Sequence, residues 1–250
     1  CTLRCIFCQN SEIASAQAGK KITVDRLSDI FLELQDKCAN NINLVTATHF
    51  VPQVAEALIK AKNKGLVIPV VYNSSAYENV STVKMLDGLV DVYLPDMKYI
   101  DSRLSSEYSK APDYADVAKA AIHEMVRQTG KPEFFTEDDE LVKSGRVEAG
   151  IMKKGVIVRH LVLPGTTKDS KAVIKYLLDT YGDEIYISIM SQYTPFERLK
   201  KHPLLSRKVT RKEYNSVVDY AIDCGINNGF IQEGDVAEES FIPEFDYEGI

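Results

Sequence analysis

Three cysteines fall within the first eight residues, Cys1, Cys5 and Cys8, at C-x3-C-x2-C spacing. Thiolate is a soft ligand that selects iron–sulfur clusters, zinc or Cu(I). A structural zinc ion takes four ligands in a tetrahedron, and no fourth Cys or His lies near this triplet in sequence. A cubane cluster held by three thiolates keeps one iron without a protein ligand. That vacancy turns an electron store into a Lewis acid that can bind a substrate. A partial zinc knuckle and three unrelated thiols are the competing readings. Cysteine is otherwise sparse, five in 250 residues, which argues against coincidence.

The rest of the chain must position these thiols. It is 45% hydrophobic and 26% charged, which suits one globular domain with a large core. A single α/β barrel of this length is ordinary. A net charge of -6 and a pI of about 5.4 argue against a phosphate-backbone binder, which carries a basic stripe. The basic cluster from Arg198 to Arg211 reads as a solvated loop. No apolar run is long enough to cross a bilayer, and no signal peptide is evident. Neither nucleic acid nor membrane is therefore expected as a partner. Cys38 and Cys224 stand alone on helical stretches, a usage that points to a reducing, cytoplasmic setting.

Taken in order, residues 11–22 are small and polar and read as a loop over the cysteine site. Thr23 starts a helix in which Leu27, Ile30, Phe31, Leu34 and Cys38 recur at helical spacing, so Cys38 is expected in the core. Strands are expected over 41–46, 67–72, 89–94, 156–163, 184–190 and 226–231. Helices are expected over 53–64, around 80–86, over 114–129 with Asp113 as cap, over 171–181, and from the Thr210–Glu213 capping box onward. Residues 131–154 read as an insertion or a surface hairpin. Short apolar strands that alternate with helices predict βα units and a parallel sheet. The expected architecture is an α/β fold, a partial (β/α)6 TIM-like barrel over 1–232. An acidic tail over 233–250 is expected to be loosely ordered.

Ligands in such folds bind at the C-terminal ends of strands. That rule selects Thr46, Thr48 and His49; Asn73, Ser74 and Ser75; Asp96 and Lys98; and Gln192 and Tyr193. Arg159 and His160 lie inside a strand and point to opposite faces. A buried charge costs several kcal/mol unless paired, so whichever points inward must meet a carboxylate or a ligand. Plainer readings stand beside these: Asp96–Lys98 as a surface ion pair, and Asn73-Ser74-Ser75 as a turn. His123 and His202 read as bystanders.

The cysteine stretch, with Phe7 before its last thiol and Gln9 after it, resembles the signature of radical S-adenosylmethionine enzymes. Residues 43–53, 72–77, 91–99, 114–130, 158–165 and 190–195 resemble the pyruvate formate-lyase activating enzyme branch, and more narrowly a little-characterised iron–sulfur group related to it. The resemblance implies a 4Fe–4S cluster on Cys1, Cys5 and Cys8, with S-adenosylmethionine on the open iron. Reductive cleavage then yields a 5′-deoxyadenosyl radical that abstracts hydrogen. Arg159 and Lys98 would hold the cofactor's carboxylate, Thr46 or Thr48 its ammonium, and Asp96 its ribose or a monovalent cation. A flavodoxin or ferredoxin as electron donor, a glycyl radical enzyme as partner, and a monomeric state are the matching expectations. Barrel members of the family lead a strand into the first cysteine. This chain begins on that cysteine, so the first strand is expected to be missing.

The resemblance also has departures. The Gly-Gly-Glu-Pro stretch of activating enzymes is replaced by Thr46-Ala47-Thr48-His49, and Asp-Thr-Asn-Gly by Asn73-Ser74-Ser75-Ala76. Ala76 in place of Gly weakens any turn that needs positive φ. The late-barrel His falls near Gln192 or Tyr193. Asp96, Lys98 and Arg159 carry over best. Three functions compete: a radical enzyme acting on a protein glycine or a small molecule, an electron-transfer iron–sulfur protein, and a zinc module.

Overall fold

Short apolar strands alternate with amphipathic helices along the chain, and all but one of the described strands pair in parallel. The computed structural model describes residues 1–14 and 19–231; the tail expected over 233–250 lies outside the described residues. The elements run α1 (Ser11–Ala14), α2 (Val24–Asp36), β1 (Ile42–Val45), α3 (Val51–Asn63), β2 (Val70–Ser74), α4 (Val80–Lys84), β3 (Val92–Pro95) and α5 (Ser102–Ser109). They continue with α6 (Tyr114–Thr129), β4 (Glu133–Phe134), α7 (Glu140–Lys143), β5 (Met152–Leu161), α8 (Thr167–Tyr181), β6 (Tyr186–Met190), α9 (Arg211–Asp223) and β7 (Gly229–Ile231). The sheet order is β1-β2-β3-β5-β6-β7, all parallel, with β4 antiparallel on β5. Among the described residues the sheet does not close, as expected of a partial TIM-like barrel. No described helix is long and apolar enough to cross a membrane.

The register sorts side chains onto two faces. Tyr72, Tyr93, Val156, Val158, Ile187 and Ile189 are buried and join Leu58, Val83, Ile122, Met125 and Ile174 of the helices in one core. The opposite face carries Asn73, Leu94, Asp96, Ile157, Arg159 and Ser188, all half-buried. At the N-terminal end of this face, Phe134 and Met152 of the β4–β5 hairpin pack on Val71 and Val92. Phe134 meets Tyr186 edge-on at 5.4 Å. The hairpin closes on the sheet at Gly155, where φ is +143° and an added Cβ would lie 3.0 Å from Pro132 Cα. Only glycine permits that approach.

Some expectations need correction. Cys38 is exposed, not core: α2 ends at Asp36, and Cys38 turns to φ 62°, leaving the apolar stripe. Residues 11–14 are helical within the expected loop. Asp113 precedes α6, but its carboxylate accepts from the Tyr77 hydroxyl at 2.7 Å instead of capping the helix. Helix α5 was not expected. Its N-cap Asp101 accepts from Arg103 N at 2.8 Å, so the cap signal was there, but the helix is mostly polar and short. The hairpin expected within 131–154 and the Thr210–Glu213 capping box are both present.

Candidate functional site

The cysteine loop is seated on the end of α5. Arg4 N donates to Ser109 O at 3.1 Å and Ile6 N to Tyr108 O at 2.9 Å. Leu3 and Phe7 are buried, and Phe7 packs edge-on against Tyr193 at 6.1 Å. From another side, Arg198 Nε donates to Ile6 O at 2.9 Å and a second guanidinium nitrogen to Cys8 O at 2.6 Å. Thr2 Oγ1 donates to Tyr77 O at 2.8 Å. The loop is thus fixed by its backbone, which leaves Cys1, Cys5 and Cys8 as free, half-buried thiols. Cys5 Sγ lies 3.0 Å from Ser109 Oγ, which lies 2.9 Å from the Tyr99 hydroxyl. Burial pushes the Cys5 thiol pKa up, while the Lys98 charge and the Ser109 bond act against that rise.

Beside the thiols sits a charged group on the strand ends. Asp96 Oδ2 accepts from Lys98 Nζ at 2.6 Å, and Oδ1 pairs with Arg159 at 2.7 Å. Arg159 also donates to Asn73 Oδ1 at 2.6 Å. Burial opposes the Asp96 charge, yet Arg159 and Lys98 hold its carboxyl below the usual range. Burial likewise works against the Lys98 cation, and Asp96 more than reverses it. Tyr114 of α6 pins this corner: its hydroxyl accepts from Lys98 N at 3.0 Å and faces the carbonyls of Asp96 and Ser75 at 2.7 and 3.0 Å. Arg159 points inward and His160 outward. His160 Nδ1 lies 2.7 Å from Met97 O, which can only accept, so Nδ1 carries the proton. Burial pushes the His160 pKa down to about 4.

The end of β1 is strained. Thr46 has φ 56°, unusual for a β-branched residue, and its N–H donates to Asn73 O at 2.8 Å. His49 Nε2 lies 2.8 Å from the Cys1 backbone nitrogen. Behind this turn is Glu78, 3% exposed, whose carboxyl accepts from the Tyr72 hydroxyl at 2.8 Å and sits beside Thr48 and Ser74. Burial pushes its pKa up. Glu78 thus braces the turn from the core side. Ala76 adopts φ 57° although it is not glycine, and it is fully buried.

Of the residues selected from sequence, Cys1, Cys5, Cys8, Asn73, Asp96, Lys98 and Arg159 gather at one corner, with Thr46 bonded to Asn73 and His49 to Cys1. Gln9 is exposed and Gln192 is half-buried. The Ser74 hydroxyl accepts from Ala76 N, Ser75 Oγ is buried without a partner, and the Tyr193 hydroxyl donates to Leu205 O. Sequence reading missed Ser109, Arg198, Tyr114 and Glu78. It placed Arg198 in a solvated loop, whereas the guanidinium reaches 190 residues back to hold the cysteine loop.

Among the described residues no three Cys, His, Asp or Glu side chains are placed as a metal-holding group. A cubane spreads its sulfur ligands over different irons. Three thiols on one backbone-anchored loop are the soft donors that such a cluster takes.

No family model matches the chain. An uncharacterised protein of Methanocaldococcus jannaschii, MJ0674, is 26% identical over 228 residues, covering 88% of this chain and 59% of that protein. The chain therefore spans about three-fifths of that relative's length. Streptococcus suis SuiB superposes with TM-score 0.58 when bound to S-adenosylmethionine (15% identity, 95% of this chain, 46% of SuiB). Bound to its precursor peptide SuiA, it superposes with TM-score 0.60 (14% identity, 95% of this chain, 47% of SuiB). Methylornithine synthase superposes with TM-score 0.54 at 11% identity, covering 95% of this chain and 71% of that one. The chain has the fold of the radical S-adenosylmethionine superfamily.

Proposed function

We propose that this chain is a radical S-adenosylmethionine enzyme whose Cys1, Cys5 and Cys8 hold a 4Fe–4S cluster. When bound, cluster and cofactor together supply reductive cleavage of the sulfonium and a 5′-deoxyadenosyl radical that abstracts hydrogen. The observation that carries this reading is the placement of three backbone-anchored thiols next to the Asp96–Lys98–Arg159 group at the strand ends.

The chain's own residues bind and orient. Lys98 and Arg159 offer cations to the methionyl carboxylate. The neutralised pair with Asp96 keeps them in place before the ligand arrives. Thr46 and Thr48 offer oxygen acceptors to the ammonium, with Glu78 behind them adding a carboxyl to hold the turn. Asp96 is the acceptor for ribose hydroxyls or a monovalent cation. The buried Phe7–Tyr193 contact keeps water from the back of the loop.

The substrate we infer is a peptide segment, such as the glycine loop of a glycyl radical enzyme. Two things support this: the inner face of β1 is open, with Asn43 exposed and Val45 58% exposed, and SuiB of the same fold is bound to a precursor peptide. A flavodoxin or ferredoxin is the matching electron source. The test is anaerobic reconstitution. It is expected to give about four irons per chain, loss of iron in Cys5→Ala, and 5′-deoxyadenosine on reduction with S-adenosylmethionine. Iron without 5′-deoxyadenosine would instead support an electron carrier, and one tightly held zinc a structural module.

A further inference from the structure

We infer that the strap from residue 197 to 213 is the docking face for an acidic one-electron carrier protein, which rests on the cluster reading above. The strap holds seven Lys and Arg, namely Arg198, Lys200, Lys201, Arg207, Lys208, Arg211 and Lys212, against Glu197 and Glu213. The rest of the chain holds 23 Lys and Arg against 34 Asp and Glu. A local surplus of five positive charges thus sits on an otherwise acidic molecule. All seven cations are exposed.

The position of the strap gives the charge its meaning. Arg198 bonds the carbonyls of Ile6 and Cys8. Tyr193, which packs on Phe7, donates its hydroxyl to Leu205 O at 2.6 Å. His202 packs edge-on against Tyr108 at 5.5 Å, and Tyr108 O receives Ile6 N. His202 Nδ1 also accepts from Leu205 N at 3.0 Å. Glu213 accepts from Gly165 N and from Arg207, tying the far end to the β5–α8 turn. The strap is therefore a fixed wall on the cysteine loop: Arg198 and Arg207 hold it in place, Lys200 pairs with Glu197 of the strap, and its cationic side chains remain exposed.

Cations spread along seventeen residues create a broad field and not a pocket for a small anion. Such a field steers a large partner of opposite sign and raises its rate of encounter. The step is a transfer of one electron: the carrier's reduced flavin or iron–sulfur centre loses it, and the cysteine-held centre gains it. No bond or proton is exchanged. Docking on the strap brings the carrier against the residues that touch the Cys8 backbone.

The experiment uses the anaerobically reconstituted chain and two reductants: flavodoxin hydroquinone, an acidic protein, and photoreduced deazariboflavin, a small uncharged donor. Lys200→Glu with Lys201→Glu reverses the strap. Lys62→Glu with Lys64→Glu makes the same change of net charge at the opposite end of the strands. The strap variant is expected to slow reduction by flavodoxin about tenfold at low salt, with the gap closing near about 0.5 M salt. Its reduction by deazariboflavin should match wild type, and the distant variant should stay within about twofold for both donors. Equal slowing by the two variants, or none by either, overturns the docking face. If deazariboflavin leaves the wild-type spectrum unchanged, the cluster reading itself falls and takes the docking face with it.

Discussion

The Ser109 hydroxyl lies 3.0 Å from the Cys5 sulfur, across 104 residues of chain. Its other neighbour is the Tyr99 hydroxyl at 2.9 Å, and both Ser109 and Tyr99 are 1% exposed. Ser109→Ala therefore leaves a buried Tyr99 hydroxyl without this partner. The expected cost is about 1–2 kcal/mol by urea unfolding. Tyr99→Phe in the same background should recover part of it, giving a coupling of at least about 0.5 kcal/mol in the double-mutant cycle. Additive losses would show that the three groups do not act as a relay. In the reconstituted protein, loss of a hydrogen bond to the Cys5 sulfur is expected to move the reduction potential to more negative values.

His160 gives a pH dependence whose sign is fixed by its burial. Its folded pKa is about 4, below the ordinary 6.5, so the unfolded chain takes up a proton first as pH falls. The stability it contributes is fully present above pH 6.5 and is lost as pH drops toward about 4. Between pH 7 and pH 5 the loss should be about 2 kcal/mol. His160→Asn should flatten the slope in that window, read by chemical denaturation at a series of pH values. An unchanged slope would place the titration elsewhere.

The carboxylate of Asp96 stands between two cations on side chains that are 18% and 24% exposed. Asp96→Ala leaves Lys98 and Arg159 facing each other without an anion, and should cost about 3 kcal/mol at pH 7. Lys175→Ala, which breaks the exposed Lys175–Asp179 pair, should stay within about 0.5 kcal/mol. Equal effects would mean that the inner pair is no better shielded than the surface one.

Thr46 holds φ 56°, a conformation that costs a non-glycine residue about 1–2 kcal/mol. Thr46→Gly is expected to raise the unfolding free energy by about 1 kcal/mol while weakening S-adenosylmethionine binding, measured by calorimetry. Strain kept at a binding turn is released at the expense of the ligand. A variant that gains stability and keeps full affinity would remove Thr46 from the site.

Much of the framework could be read from residue order, because the apolar runs expected as strands over 67–72 and 89–94 do form strands, displaced to 70–74 and 92–95, and helices such as α6 carry a regular stripe. That a cation on the inward face of the sheet must meet a carboxylate or a ligand was also legible, though not that the cation is Arg159 and its partner Asp96. What could not be read were contacts across long separations. Nothing local to Arg198 or Ser109 shows that each meets the first eight residues. Helix α5 escaped because its mostly polar sequence has no long apolar period. Ala76 shows the limit of a glycine rule: complete burial holds its backbone where alanine alone would not settle.

The hairpin that seals the sheet at Gly155 gives the concave side a blind end. Phe134, Met152 and their neighbours make a carbon floor beneath Arg159 and Asp96. A ligand that reaches Asp96 and Arg159 therefore comes from the strand ends or across the exposed face of β1.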